Sequence, residues 1–327
     1  MSDPNSVESY GAPRLPSDPP SAINAGAGPA LVAPSTSRGQ RLLRSARWFL
    51  REMARSPLSL IGASIVLIFL ILAIIGPFIT PYEYDEVIRD DDNQIVRLTS
   101  PDLSHPFGTD RRGYDVFSRV ILGTREIILV PGIATVLSVF FGTTIGLTVG
   151  FMGGWLDEVI SRALDSLLSI PALVLALVIL GVAGPSNLGV IIVVVLLYTP
   201  IVTRVIRSAT LSLRTAGYVE AARLRGESTA YILYREILPG VLPALAVEAA
   251  LRFSYAIFLV ASLGFLGLGV QPPSPDWGRM VFEAKGEFTR TPWALWFPTL
   301  AIAILVIGVN LMADGLRRIF RYEGDRA

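Results

Sequence analysis

The chain has 327 residues, 52% of them hydrophobic and only 17% charged, with positive mean hydropathy; a soluble protein carries about 25% charged residues, so the composition points into a membrane. There is no cysteine and His105 is the one histidine, which excludes a disulfide framework, thiolate nucleophiles, Cys- or His-pair metal sites and most triad chemistry. Net charge is +1 and Lys285 is the one lysine among 28 basic residues; the bulk charge gives no reason to expect nucleic acid, and Ala284-Lys285-Gly286 lacks the upstream glycines and following Ser/Thr of a phosphate-binding loop, so any ATP hydrolysis falls to another chain.

In chain order, residues 1–37 are rich in Pro, Ser, Gly and Ala without periodicity and are expected to form a disordered tail. No signal peptide is expected, because the first apolar run comes late and no small-residue cleavage site follows a short core. From Arg38, arginines recur at helical spacing (Arg41, Arg44, Arg47, Arg51, Arg55) opposite Leu42, Leu43, Ala46, Phe49, Leu50 and Met53. Residues 38–57 therefore read as a basic amphipathic helix on an anionic leaflet. Leu58–Ile79 is uncharged and long enough to cross the roughly 30 Å hydrocarbon layer, with Pro77 and Pro81 ending it.

A polar loop, residues 80–125, follows; its Asp90-Asp91-Asp92 run has no calcium-loop spacing and reads as a solvated turn. The second span is Ile127–Gly150, in which Gly142, Gly146 and Gly150 repeat every four residues and Gly154 continues the series, the spacing that lets helices approach closely in lipid. After the turn at Gly153-Gly154, Val159–Val182 is a third span interrupted by Pro171, with Arg162 and Asp165 at i and i+3 where they can pair or reach the interface. A minimal turn at 184–187 leads to the fourth span, about Leu188–Ile206. The fifth is Val241–Val270, then a polar loop over 271–292, and the sixth runs about Trp293–Met312, leaving a tail at 319–327. The count is about six.

Between the fourth and fifth spans, residues 207–240 form a polar, arginine-rich insert. Tyr218 to Arg225 can form a short helix, Gly226 breaks it, and Ser228 is placed to N-cap a second short helix that stops at Pro239. Ala221 and Ala222 give the hairpin a small-residue face. From Arg38 onward, basic residues number seventeen in the segments that share a side with this insert and nine in the loops on the other side, so the positive-inside rule puts the insert and both termini in the cytoplasm. Inside the fifth span, Glu248 and Arg252 sit at i and i+4; charges there are costly and often functional, and a pair on one helix face is the simpler reading than a substrate ligand. A gradient-driven transporter would need a chain of buried acids or broken helices near midplane, and only Glu248 and Asp165 come close. A membrane enzyme would need a His, Cys or paired-acid constellation, which the chain almost wholly lacks.

Glu220-Ala221-Ala222, then Gly226, then Ile237-Leu238-Pro239 resembles the EAA signature of permease subunits of bacterial ABC importers. Phe107-Gly108-Thr109-Asp110 with Gly113, Asp115, Ser118-Arg119, Gly123 and Arg125 is similar to the first outer-loop signature of the dipeptide/oligopeptide/nickel permeases. Leu263 and Phe265-Leu266-Gly267-Leu268-Gly269-Val270-Gln271-Pro272-Pro273, ending in Trp277-Gly278, resembles the C-type member of that family. The resemblance spans about residues 40–318. Tyr114 stands where the family usually has arginine, Val260 where an acid is common, and Arg225 where an apolar residue is usual. The resemblance implies an all-α, polytopic fold of the type I ABC importer transmembrane domain, in the bacterial inner membrane. It also implies a second, B-type permease subunit, two cytoplasmic ATPase subunits that bind ATP and magnesium, and an extracytoplasmic solute-binding protein, with no cofactor in this chain. The cargo would be a di- or oligopeptide, or a related small solute such as nickel. The hairpin would be the coupling element, through Tyr218, Glu220, Ala221, Ala222, Arg225, Gly226, Ile237, Leu238 and Pro239, with Arg225 suggesting a matched acidic contact on the ATPase.

Overall fold

A computed structural model of the chain describes residues 56–324, with side chains as far as Ile319. The expected tail at 1–37 lies outside the described residues, as does nearly all of the amphipathic helix at 38–57. The described part is built from helices. They are α1 (Pro57–Ile79), α2 (Val116–Met152), α3 (Gly154–Leu168), α4 (Ala172–Ala183), α5 (Asn187–Leu213) and α6 (Gly217–Leu224), then α7 (Thr229–Phe265), α8 (Trp277–Ala284) and α9 (Pro292–Gly324). Five of them, α1, α2, α5, α7 and α9, are long and apolar enough to cross a membrane, and α3 with α4 makes a sixth if the bent pair is one span.

Where helix bounds differ from the sequence reading, local chemistry explains it. Helix α2 begins at Val116, not Ile127, because Asp115 caps it by accepting the Ser118 N–H at 2.7 Å; at 1.5 Å per residue its 37 residues span roughly 55 Å and rise well out of the hydrocarbon. Helix α7 ends at Phe265, so Leu266–Val270 is turn: the amides of Leu268 and Gly269 fold back onto the Leu263 carbonyl, with Gly267 at φ +80°. At the other end of the chain, α9 continues through the expected start of the tail to Gly324. The third span bends by 83° between α3 and α4. Pro171 has no N–H and disfavours helical geometry in the residue before it, so the interruption becomes a corner.

The pairing of α2 with α5 forms the spine. A Cβ on Gly142, Gly146 or Gly150 would come within 2.6–2.8 Å of Val202, the Thr203 carbonyl and Thr210 respectively, so these three glycines set the closest approach of the two helices. Gly154 does not extend the stripe, since a Cβ there would meet nothing; it sits at the α2–α3 corner at φ +64°. Helix α3 buries no residue and is tied to α5 by charge instead. Arg207 grips Asp157 with two bonds of 2.6 Å, and Arg204 reaches Asp165 at 2.6 Å. Of the two readings of Arg162 and Asp165, the pair does not form: Arg162 turns to Glu158 one turn back, at 2.6 Å.

Candidate functional site

Helix α6 sits at the end of the bundle where α2 finishes and α7 begins, here the hairpin end. Its C-terminus is a Schellman motif: the Glu227 N–H bonds the Ala222 carbonyl at 3.2 Å and the Gly226 N–H bonds that of Arg223 at 2.9 Å. That motif puts its turning residue in the left-handed region, and Gly226 has φ +76°, a conformation only glycine adopts without strain. The second limb starts as expected, with Ser228 Oγ accepting the Tyr231 N–H at 3.2 Å.

It does not stop at Pro239. Residues Ile232–Ile237 widen into a π-helical turn, with the Leu238 N–H bonded five residues back to Leu233. Proline removes one helical N–H and its ring crowds the carbonyl four residues earlier; a wide turn just before it re-spaces those carbonyls. The hairpin's second limb is therefore the first stretch of a membrane-spanning helix, and any displacement of α6 has a continuous rod to act on.

The buried face of the hairpin is apolar. Val219 and Ala222 of α6 and Ile232, Leu233 and Ile237 of α7 pack with Leu147 of α2 and Val202 and Ile206 of α5. Ala221 and Ala222 do not share an outward face: Ala222 is fully buried and Ala221 exposed, because successive helical residues lie about 100° apart. Ala222 keeps α6 close to its own bundle. The outward ridge carries Tyr218, Glu220, Ala221, Arg223 and Leu224, with Leu224 90% exposed. Arg223 lies 4.5 Å over the Phe151 ring. Arg225 is partnered within the chain, 3.4 Å from Glu236 and 3.6 Å from Glu227, so its charge strings the two limbs together. Leu238 is half-buried and Pro239 exposed.

Farther along α7, Glu248 and Arg252 do approach, Nε to Oε1 at 2.8 Å, in a bent geometry that leaves neither atom a true hydrogen bond. The guanidinium also lies over the rings of Tyr255 at 4.9 Å and Tyr198 at 5.5 Å, and the pair is largely buried. These contacts account for both charges inside a span.

At the opposite, loop end, the two remaining sequence signatures lock onto each other. Arg119, 1% exposed, bonds Asp110 at 2.9 Å and the Ser274 carbonyl at 3.1 Å. The fully buried Trp277 donates its indole N–H to the Val120 carbonyl at 2.9 Å. A Cβ on Gly123 would clash with Pro275 O and Trp277, and one on Gly278 with Ala261 O. His105 Nδ1 is 3.1 Å from Asp115, with Tyr82 stacked on the imidazole. Asp276 caps α8 through the Arg279 N–H at 2.6 Å; burial, with Glu126 nearby, pushes its carboxyl up to about 6. Burial likewise raises Asp110, against the pull of Arg119. The sequence signatures contain Asp110, Asp115, Arg119, Gly123, Trp277 and Gly278 without giving them a role, and omit Tyr82, Ser274 and Asp276; an Asp or Arg amid glycines and tryptophan was the available signal of a buried polar lock.

Compared with known families, residues 142–321 match the binding-protein-dependent transport system inner membrane component, and residues 46–101 match the N-terminal transmembrane domain of oligopeptide transport permease C. The dipeptide transport system permease protein DppC of Alkalihalophilus pseudofirmus is 37% identical over 82% of this chain and 86% of its own length. The glutathione transport system permease protein GsiD of Pectobacterium atrosepticum is 37% identical over 83% and 89%, and that of Escherichia coli O6:K15:H31 38% identical over 82% and 88%. Among solved structures, the MetNI methionine ABC transporter in an inward-facing conformation aligns with a TM-score of 0.46 at 22% identity, over 59% of this chain and 93% of that one. With a glycine-packed helical bundle, an EAA-type hairpin seated on its end and relatives matched along most of their length, the chain belongs to the family of inner membrane components of binding-protein-dependent transport systems.

Proposed function

We propose that the chain is the C-type permease subunit of an ATP-driven importer of short peptides, forming half of the translocation pathway with a second, B-type permease subunit. Two ATPase subunits carrying ATP and magnesium lie under the hairpin end, in the cytoplasm with both termini, and an extracytoplasmic binding protein delivers cargo at the loop end. The peptide cargo is inferred from the dipeptide and glutathione permeases among the relatives.

The observation that carries this reading is the division of α6 into two faces: an apolar one built into α2, α5 and α7, and an outward ridge with Glu220 and the 90% exposed Leu224. A short helix seated this way transmits a push from outside to three spans at once. Closure of the ATPase pair on ATP moves the ridge, the buried face carries α7 with it, and the bundle shifts between inward-open and outward-open states. Glu220 lies in the first turn of α6, where the positive helix end favours it. No step requires chemistry on the cargo by this chain; the coupling is a difference in stability between two packings.

The test is reconstitution of the full assembly in proteoliposomes. Glu220→Ala and Gly226→Ala are expected to leave assembly intact while lowering dipeptide uptake and binding-protein-stimulated ATP turnover at least about tenfold, the scale of one lost coupling contact. Uptake at the normal rate by this chain alone, in ATP-free vesicles under an ion gradient, would overturn the reading.

A further inference from the structure

Beside the C-terminus of α1 lies a cavity of about 670 Å³, within the ~300–1,000 Å³ range of small-molecule sites. Its walls are of two kinds. Leu72, Ala73 and Pro77 of α1 and Ile121 and Leu122 of α2 give it an apolar floor, while Glu83, Glu86, Arg125 and Glu126 supply charge, with Tyr82 and Tyr84 between. Helix α1 is the least buried of the five spans, and Ile74, Ile75 and Phe78 next to the cavity are exposed, Phe78 at 86%. The apolar floor is thus continuous with an exposed apolar helix face. Glu83 and Glu86 stand just past the end of that span, and Arg125 and Glu126 lie about one turn below Ile121, which packs against Gly76, within snorkelling reach of lipid headgroups.

We propose that this cavity holds the headgroup of an aminophospholipid. Arg125 is exposed and has no carboxylate within 4.0 Å among the described residues, so its guanidinium can take the phosphate as a fork. Glu83 and Glu86 are exposed, and with the last-turn carbonyls of α1, the negative end of its dipole, they offer acceptors to a primary ammonium. Glu126 adds a third carboxylate, engaged by the Ser274 hydroxyl. Three acids against one base disfavour a lipid that carries only negative charge, and a quaternary ammonium has no N–H to donate. Phosphatidylethanolamine satisfies both ends, its acyl chains lying along α1. The lipid would brace α1 against the 271–275 loop, whose Ser274 carbonyl already holds Arg119. The inference depends on membrane embedding alone, so it stands or falls apart from the ATPase-coupling reading.

The experiment is native mass spectrometry of the purified permease assembly from nanodiscs of equal phosphatidylethanolamine, phosphatidylglycerol and phosphatidylcholine. The unmodified protein is expected to retain phosphatidylethanolamine about tenfold over either competitor, and Arg125→Gln or the pair Glu83→Gln/Glu86→Gln to lose about tenfold of that retention, as for one charge-assisted contact. Equal retention of the three lipids overturns the proposal, and since that comparison uses no variant, a folding defect cannot mask it. Unaltered retention in both variants also overturns it. Displacement of the lipid by millimolar glycerophosphoethanolamine or dialanine would make this a site for a soluble zwitterion and would likewise overturn the lipid assignment.

Discussion

The loop end and the hairpin end of the bundle differ in the charge they bury. At the loop end the buried set includes Arg119, Asp115, His105, Asp276 and Trp277, each with a specific partner, Arg119 through its two terminal nitrogens and not its Nε, with glycines clearing the space for carbonyls and the indole to meet. At the hairpin end the cluster under α6 is aliphatic, from Leu147 through Ala222 to Val241, the buried polar side chains beside it are the uncharged Thr203 and Thr210, and charge stays on the outside. A lock of directional polar bonds has one good geometry and breaks when any member moves. An aliphatic seat tolerates small sliding shifts with little loss. The proposed function draws on this difference: a loop end suited to holding the spans in register, and a hairpin end suited to transmitting movement.

The sharpest way to break that contrast is at Trp277. Trp277→Ala removes the indole from a fully buried site together with its hydrogen bond to the Val120 carbonyl; the expected cost is about 3–5 kcal/mol. Measured as the unfolding temperature of the detergent-purified assembly, this should be the largest single effect at either end. A loss under about 1 kcal/mol would mean that the two signatures merely touch.

Asp276 tests the same lock through pH. Its folded pKa, about 6, lies above the ordinary 3.8 because the carboxyl is buried. The folded state therefore holds the proton where the unfolded chain has lost it, and stability falls as pH rises from about 4 to about 6, then levels off. At about 1.4 kcal/mol per unit, the contribution is on the order of 3 kcal/mol. Asp276→Asn keeps an acceptor for the Arg279 N–H and removes the titration. Relative to the unmodified protein it is expected to be of similar stability at pH 4 and more stable at pH 7.5; a difference independent of pH would show that the carboxyl is not titrating in that window.

Legibility in the sequence followed how local each cause was. The Gly142–Gly146–Gly150 stripe repeats about once per helical turn, the break at Gly226 and the cap at Ser228 rest on residues within a turn of each other, and each has its reason in the structure. Pro171 was readable as an interruption, but the 83° corner was not, since its angle depends on how Asp157 and Asp165 reach α5. The passage of α7 through Pro239 was hidden for a related cause: a π turn forms when packing against α2 and α5 stabilises it. The loop-end lock was the least readable. Its central hydrogen bond joins residues 157 apart in sequence, and no periodicity announces such a pairing.

The hairpin end offers the finer test, because adjacent alanines there do different work. Ala222 is fully buried among Val202, Ile206 and Ile237, so Ala222→Leu must push α6 outward; added volume in a packed seat costs about 1–3 kcal/mol. Ala221 faces out, and Ala221→Leu should change stability by less than about 0.5 kcal/mol while thickening the ridge the proposed ATPase must meet. Paired measurements of unfolding temperature and ATP turnover separate the two. Ala222→Leu is expected to lower both and Ala221→Leu only the turnover. If Ala222→Leu left the unfolding temperature unchanged, α6 would not be seated on the spans, and a push on its outer ridge would have no path into α7.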